Sequence, residues 1–284
     1  FHSIRYSNMP FLMAPGLWKK IYNPKTKKVK ERAHGDKVFF GENSIEAFEE
    51  YFFKVFLNDA YIEEASLNVH QITEPVYTSY LHYQQFFREP QMDSLYLAKN
   101  NNFILRYQTL RSYNQEFKVF MIFRSPVSHA GSLLKQHKNF TALQSEDPFV
   151  KNYMNWLGHY EFGLNHKVFN FNQQKLWQDY KKDTINYWLA IWINYYQYVM
   201  SLPKDDLLYF VDYEDLLNSP TKLKAKLGEI LGFNVSYEDQ IKFEPAHIQD
   251  NASLVDDQLL KTAIAIYDEL LKKKLIIDFD CLTT

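Results

Sequence analysis

The sequence predicts an α/β domain of three layers, a short parallel sheet flanked by helices, and helix-rich. Three observations predict it. Two apolar runs, Leu95 to Ala98 and Lys118 to Phe123, flank a stretch around Ile104 to Leu110 that suits a helix. Arg124, Ser125 and Pro126 follow the second run and open a helix to about His137, since proline fits the first helical position. Leu207 to Val211 supplies a third strand. Strand, helix, strand, helix is the order that crossover connections produce, and it points to parallel pairing.

The remaining elements follow from periodicity and capping. Asn43 and Ser44 cap a helix whose apolar positions Ile45, Phe48, Phe52, Val55 and Phe56 keep the 3.6 period, with Glu46 set for a capping box. Residues 60–92 read as helical too. Asp147 caps a helix with Tyr153, Met154, Trp156 and Leu157. Ile185, Trp188, Leu189, Trp192, Tyr196 and Val199 form the longest amphipathic signal. Ser219 and Pro220 open a helix with Leu223, Leu227 and Ile230 inward and Gly232 past its last turn. Ser253, Asp256 and Asp257 begin a last helix ending in Lys272, Lys273 and Lys274, a charge order that complements the macrodipole.

Composition removes several function classes. An apolar fraction of 46% with 23% charged residues excludes a disordered chain or a coiled-coil rod. The net charge of −2 gives no field to hold a nucleic acid. The single cysteine, Cys281, forms no internal disulfide and no Cys-based zinc site, which is compatible with a reducing, cytoplasmic compartment. Thr184 to Met200 lacks charges but carries two Asn, one Gln and four Tyr, so it reads as a buried helix and not a membrane span. The pairs His159 with His166 and His129 with His137 do not have zinc spacing. Trp156, Tyr160, Trp188 and Trp192 fit core packing better than a stacking platform for sugar or adenine. Neither a repeat nor a Gly/Ser linker divides the chain, so residues 1–284 read as one domain.

The passage KVFMIFRSPVSHAGSLLKQH carries the chemistry. A buried strand delivers Arg124 to its carboxyl edge, where the next helix points unsatisfied backbone N–H groups, with Ser132 about two turns in. Such an edge suits a phosphate, for which Arg offers a planar fork of donors and Ser a short hydroxyl. The plain alternative, a strand-end ion pair and a surface hydroxyl, stays open on these residues alone.

Arg124, Pro126 and Ser132 at this spacing resemble the 3′-phosphate-binding segment of sulfotransferases that use 3′-phosphoadenosine 5′-phosphosulfate. YFVDYEDLL, Tyr209 to Leu217, with the helix from Ser219 to Gly232, resembles a later strand and helix of that family. ERAHGDKVFFGENSIEAFEEYFF from Glu31, LAKNNNFILR, SLLKQHKNF and MNWLGHYEFG are similar to a bacterial subgroup. The resemblance implies the nucleotide-binding sulfotransferase fold, the phosphosulfate nucleotide as co-substrate and no metal. It implies Arg124 and Ser132 on the 3′-phosphate, Tyr213 near the adenine, Lys99 supporting the reacting centre, and Glu31 as base, with His34 as substitute or acceptor contact.

The implied acceptor bears a hydroxyl on a glycan, lipid or small molecule. The basic run Lys19 to Arg32 suits an anionic glycan. The family's Ser/Gly phosphosulfate loop is not among these residues, whose eight glycines are scattered, and the expectation is that its strand, loop and helix lie upstream of Phe1. Two rivals remain: a scaffold that keeps the fold without catalysis, and a phosphoryl transferase, which would need a Walker-type lysine loop absent here.

Overall fold

A computed structural model describes residues 2–5, 30–31, 39–40, 47–88, 95–233 and 255–277. Its strands are β1 (Lys30–Glu31), β2 (Phe39–Phe40), β3 (Ser66–Asn68), β4 (Val119–Phe123), β5 (Val168–Asn170) and β6 (Leu208–Asp212). Its helices are α1 (Glu50–Phe56), α2 (Glu74–Gln85), α3 (Tyr107–Tyr113), α4 (Pro126–Glu146), α5 (Pro148–Leu157), α6 (Ile185–Ser201), α7 (Tyr213–Asn218), α8 (Pro220–Leu231) and α9 (Asp257–Lys273). Helix predominates, as expected of an α/β chain rich in helix. The strands form pairs: β1 with β2 antiparallel, β3 with β5 parallel, and β4 with β6 parallel. The chain divides into two compact units, Phe1–Gln115 with Gln136–Asn172, and Glu116–Lys135 with Gln173–Thr284.

In the second unit β4 and β6 pair over five residues, from Val119 opposite Leu208 to Phe123 opposite Asp212. The facing rings of Phe120 and Tyr209 stack across the pair at 5.3 Å. Helix α6 buries Trp188, Leu189, Trp192, Ile193, Tyr196 and Val199, as its period predicts, and packs on α9, which buries Leu259, Ala263 and Leu270. The Tyr196 hydroxyl donates to the Ile122 carbonyl at 3.3 Å, tying α6 to β4. Asp256 caps α9 by accepting from the Gln258 and Leu259 amides. Gly232 closes α8 at φ +79°, a left-handed conformation that glycine adopts without steric cost. Ser219 precedes α8 but makes no side-chain cap bond.

In the first unit Asp147 caps α5 through the Phe149 amide, and α5 ends at Gly158 with φ +78°. A side chain there would also collide with the Glu50 Cγ at 2.8 Å, so both the backbone and the packing require glycine.

Several expectations are corrected. Leu95 to Ala98 is not a strand: Tyr96 alone makes an isolated bridge, to His2, and Leu95 and Leu97 face solvent. A largely exposed apolar run held by a single bridge gains too little from pairing to form a strand. The 60–92 stretch is not one helix, because β3 interrupts it before α2 begins at Glu74. Helix α4 runs past His137 to Glu146, since neither Gly nor Pro breaks it between Gly131 and Pro148. Val55 and Phe56 are exposed, whereas Phe48, Phe52 and Phe53 are buried. The capping box at Asn43, Ser44 and Glu46, and Ser253, lie outside the described residues. Among the described residues no helix is long and apolar enough to cross a membrane.

Candidate functional site

The candidate site is in the second unit, where β4 ends and α4 begins. Phe123 is the last strand residue and is fully buried, so the chain leaves the sheet directly at Arg124. Pro126 starts α4, and the His129 amide donates back to the Ser125 carbonyl at 2.9 Å, which opens the helical ladder. The Arg124 guanidinium lies over the Tyr213 ring, 4.7 Å from its centroid. Tyr213 is placed by the end of the neighbouring strand, because it is the first residue of α7 and follows Asp212.

The acidic residues of YFVDYEDLL hold that corner. Asp212, buried, caps α7 by accepting from the Glu214 amide at 3.0 Å. Lys274 reaches Asp215 at 2.9 Å and Asp212 at 3.4 Å. Burial alone would lower the Lys274 pKa, but these two carboxylates raise it above the ordinary lysine value.

Two buried nitrogens at the β4–α4 corner, Arg124 Nε and His129 Nδ1, have no hydrogen-bond partner among the described residues. Burial, and then the Arg124 charge, depress the His129 pKa to about 4, so its ring is neutral at neutral pH. The corner therefore presents one fixed cation, one neutral imidazole and the amino end of a 21-residue helix. This arrangement suits a small anion.

Of the residues anticipated from sequence, Arg124 and Tyr213 come together. Ser132 lies on α4 as a half-buried residue of the same unit. Lys99 is exposed in the first unit, and the strand expected before it is absent. Glu31 pairs in β1 opposite Phe39. His34 and most of the basic run Lys19 to Arg32 lie outside the described residues. Trp188, Trp192 and Tyr160 are core residues, but Trp156 is 56% exposed. An open groove of about 410 Å³ follows the first half of β6, lined by Leu208, Tyr209, Phe210, Lys226, Lys274 and Ile276 among others. Arg124, Ser132 and Tyr213 do not line it. Among the described residues no three His, Cys, Asp or Glu side chains gather as metal ligands.

The first unit holds a buried charge network that local sequence pattern did not reveal. Arg106 Nη1 and Nη2 donate to the two Glu50 oxygens at 2.8 and 2.7 Å, and both side chains are almost fully buried. Tyr61 and Asn100 also donate to Glu50, while Tyr80 and Tyr96 donate to the adjacent Glu49. Burial alone would raise both carboxyls; Arg106 brings Glu50 below its usual range, whereas Glu49 remains above it. Arg106 Nε donates to His70 Nε2 at 3.1 Å, so His70 carries its proton on Nδ1, which donates to the Asn68 carbonyl at 2.9 Å.

The passages of the subgroup resemblance meet here. Glu49 and Glu50 lie in the first, Arg106 in the second and Gly158 in the last, and His137 of the third accepts from the Gly163 amide of the last at 3.2 Å. A faint local signal existed in the adjacent Glu49 and Glu50, the N-cap and first residue of α1, beside the buried Phe48 and Phe52.

Acidification should strain this network. Burial, then Arg106, depress the folded His70 pKa to about 4 from 6.5. Between those values the unfolded chain binds a proton that the folded chain refuses, so stability falls as pH is lowered through that window. Protonated His70 can no longer accept from Arg106. Glu49, with its raised pKa, acts in the opposite sense. The urea midpoint should therefore drop between pH 7 and pH 5, and less steeply in His70→Gln, with which a neutral acceptor is kept. Parallel profiles for the two proteins would exclude His70 as the acid-sensitive group.

No protein-family model, curated protein or solved structure matches the chain.

Proposed function

We propose that the chain is a sulfotransferase and that its second unit holds the 3′-phosphate of 3′-phosphoadenosine 5′-phosphosulfate. The observation that supports this most directly is the guanidinium of Arg124 on the ring of Tyr213 at the carboxyl ends of the parallel strands β4 and β6. Parallel strands that end together at a helix amino terminus are where α/β proteins place nucleotide phosphates. Ser132 is assigned to the same phosphate and Tyr213 to the neighbourhood of the adenine. The sheet is read as the middle layer of a three-layer domain.

In the reaction an acceptor hydroxyl attacks the sulfur, the bond from sulfur to the 5′-phosphate oxygen breaks, and 3′-phosphoadenosine 5′-phosphate leaves. The acceptor's proton passes to a base. Glu31 is assigned that role, with His34 as substitute and Lys99 as the cation near the transferred group. The transfer requires no metal. The acceptor class, including an anionic glycan, and a cytoplasmic site of action belong to the same proposal.

The test uses the product nucleotide. 3′-Phosphoadenosine 5′-phosphate should raise the melting temperature well above the shift given by 5′-AMP, since a ligand at 100 times its Kd stabilises by about 2.7 kcal/mol. Equal shifts for the two nucleotides would remove the 3′-phosphate site.

A further inference from the structure

We infer that His129 is a third ligand of the anion gripped by Arg124, donating from Nδ1. This rests on the 3′-phosphate reading of the corner. Neither the subgroup passages nor the Arg-and-Ser spacing points to a histidine five residues after the arginine. Its case comes from the geometry of the free protein.

A buried polar nitrogen without a partner costs the folded state its desolvation, and such groups are uncommon in proteins. Arg124 Nε and His129 Nδ1 both carry that cost at one corner. They belong to one short stretch, one residue before and four after Ser125, where the first helical hydrogen bond of α4 is made. The Arg124 cation acts directly on the His129 ring. Pro126 has no amide hydrogen, and the Val127 and Ser128 amides have no acceptor within the helix, which adds donors and no acceptors. A ligand with several acceptor oxygens satisfies both orphaned nitrogens at once. A phosphate monoester has them, and a ribose hydroxyl alone does not.

The imidazole adds a directed hydrogen bond without a second charge. That separates it from an additional Arg or Lys, which Arg124 would repel. It also predicts that His129 responds to the 3′-phosphate and not to the rest of the nucleotide.

The experiment is calorimetry with 3′-phosphoadenosine 5′-phosphate and 5′-AMP on the wild type, His129→Leu, His129→Asn and Arg124→Ala. His129→Leu should weaken the 3′-phosphorylated nucleotide about tenfold and leave 5′-AMP unchanged, the effect of one hydrogen bond to a charged group. His129→Asn, whose amide nitrogen takes the place of Nδ1, should stay within about threefold of the wild type.

Wild-type affinity in His129→Leu together with lost affinity in Arg124→Ala overturns the inference and leaves the 3′-phosphate reading standing. Wild-type affinity in both variants overturns the two together. Should His129→Leu fail to fold, the 15N resonance of Nδ1 in the wild-type protein decides. A shift on saturation with the 3′-phosphorylated nucleotide, and none with 5′-AMP, supports the inference, and an unmoved resonance overturns it.

Discussion

Arg106→Met is expected to destabilise the protein by about 3–5 kcal/mol, the cost of leaving a buried carboxylate without its counter-ion. Glu50 would lose two charge-assisted hydrogen bonds and keep Tyr61 and Asn100 as its donors among the described residues. The Phe53 ring, over which the guanidinium sits at 4.0 Å, would lose its cation as well. Glu50 would then be drawn to its protonated form, and the loss should shrink at acid pH. The companion variant Glu50→Leu/Arg106→Met, apolar at both places, should recover most of the stability. Urea unfolding followed by tryptophan fluorescence measures all three proteins. A single variant within about 1 kcal/mol of wild type would refute the network as described.

Arg124→Ala should have the largest effect on binding and little on folding. Its guanidinium is the only full positive charge assigned to the 3′-phosphate, so its loss should weaken 3′-phosphoadenosine 5′-phosphate by roughly 2 kcal/mol or more, about thirtyfold. Among the described residues the folded chain loses the stacking on Tyr213 and sheds an unsatisfied buried nitrogen, two small terms of opposite sign. The melting temperature without ligand should therefore stay close to wild type. This split distinguishes a residue kept for a ligand from one kept for the fold. A collapsed fold with no change in affinity would assign Arg124 to structure instead.

Sequence revealed most where local chemistry decides the outcome. Strands β4 and β6 show as apolar runs that end at Arg124 and Asp212, and α6 shows by its period because one face is buried along its whole length. Asp147, Gly232 and Asp256 act where capping rules put them. What depended on distant partners did not show. Strands β3 and β5 have three residues each and exist through pairing across a hundred positions. Glu50 and Arg106 meet over a separation of 56 residues, and two adjacent acids at the start of a short helix look like a solvated surface until that partner is placed. At the corner, Arg124 and Tyr213 were anticipated, whereas His129 was not, because an orphaned ring nitrogen is a property of packing.

Lys274 gives the carboxyl end of β6 a clasp drawn from far along the chain. The extended residues after α9 lie parallel to β6, with the Leu275 amide donating to the Phe210 carbonyl at 2.7 Å. The lysine grips the acid that caps α7 from 62 positions downstream. Trimming the polypeptide just ahead of that residue would strip Asp212 and Asp215, which flank Tyr213 in the chain, of the cation they share, so damage at the far helix would be felt where α7 begins.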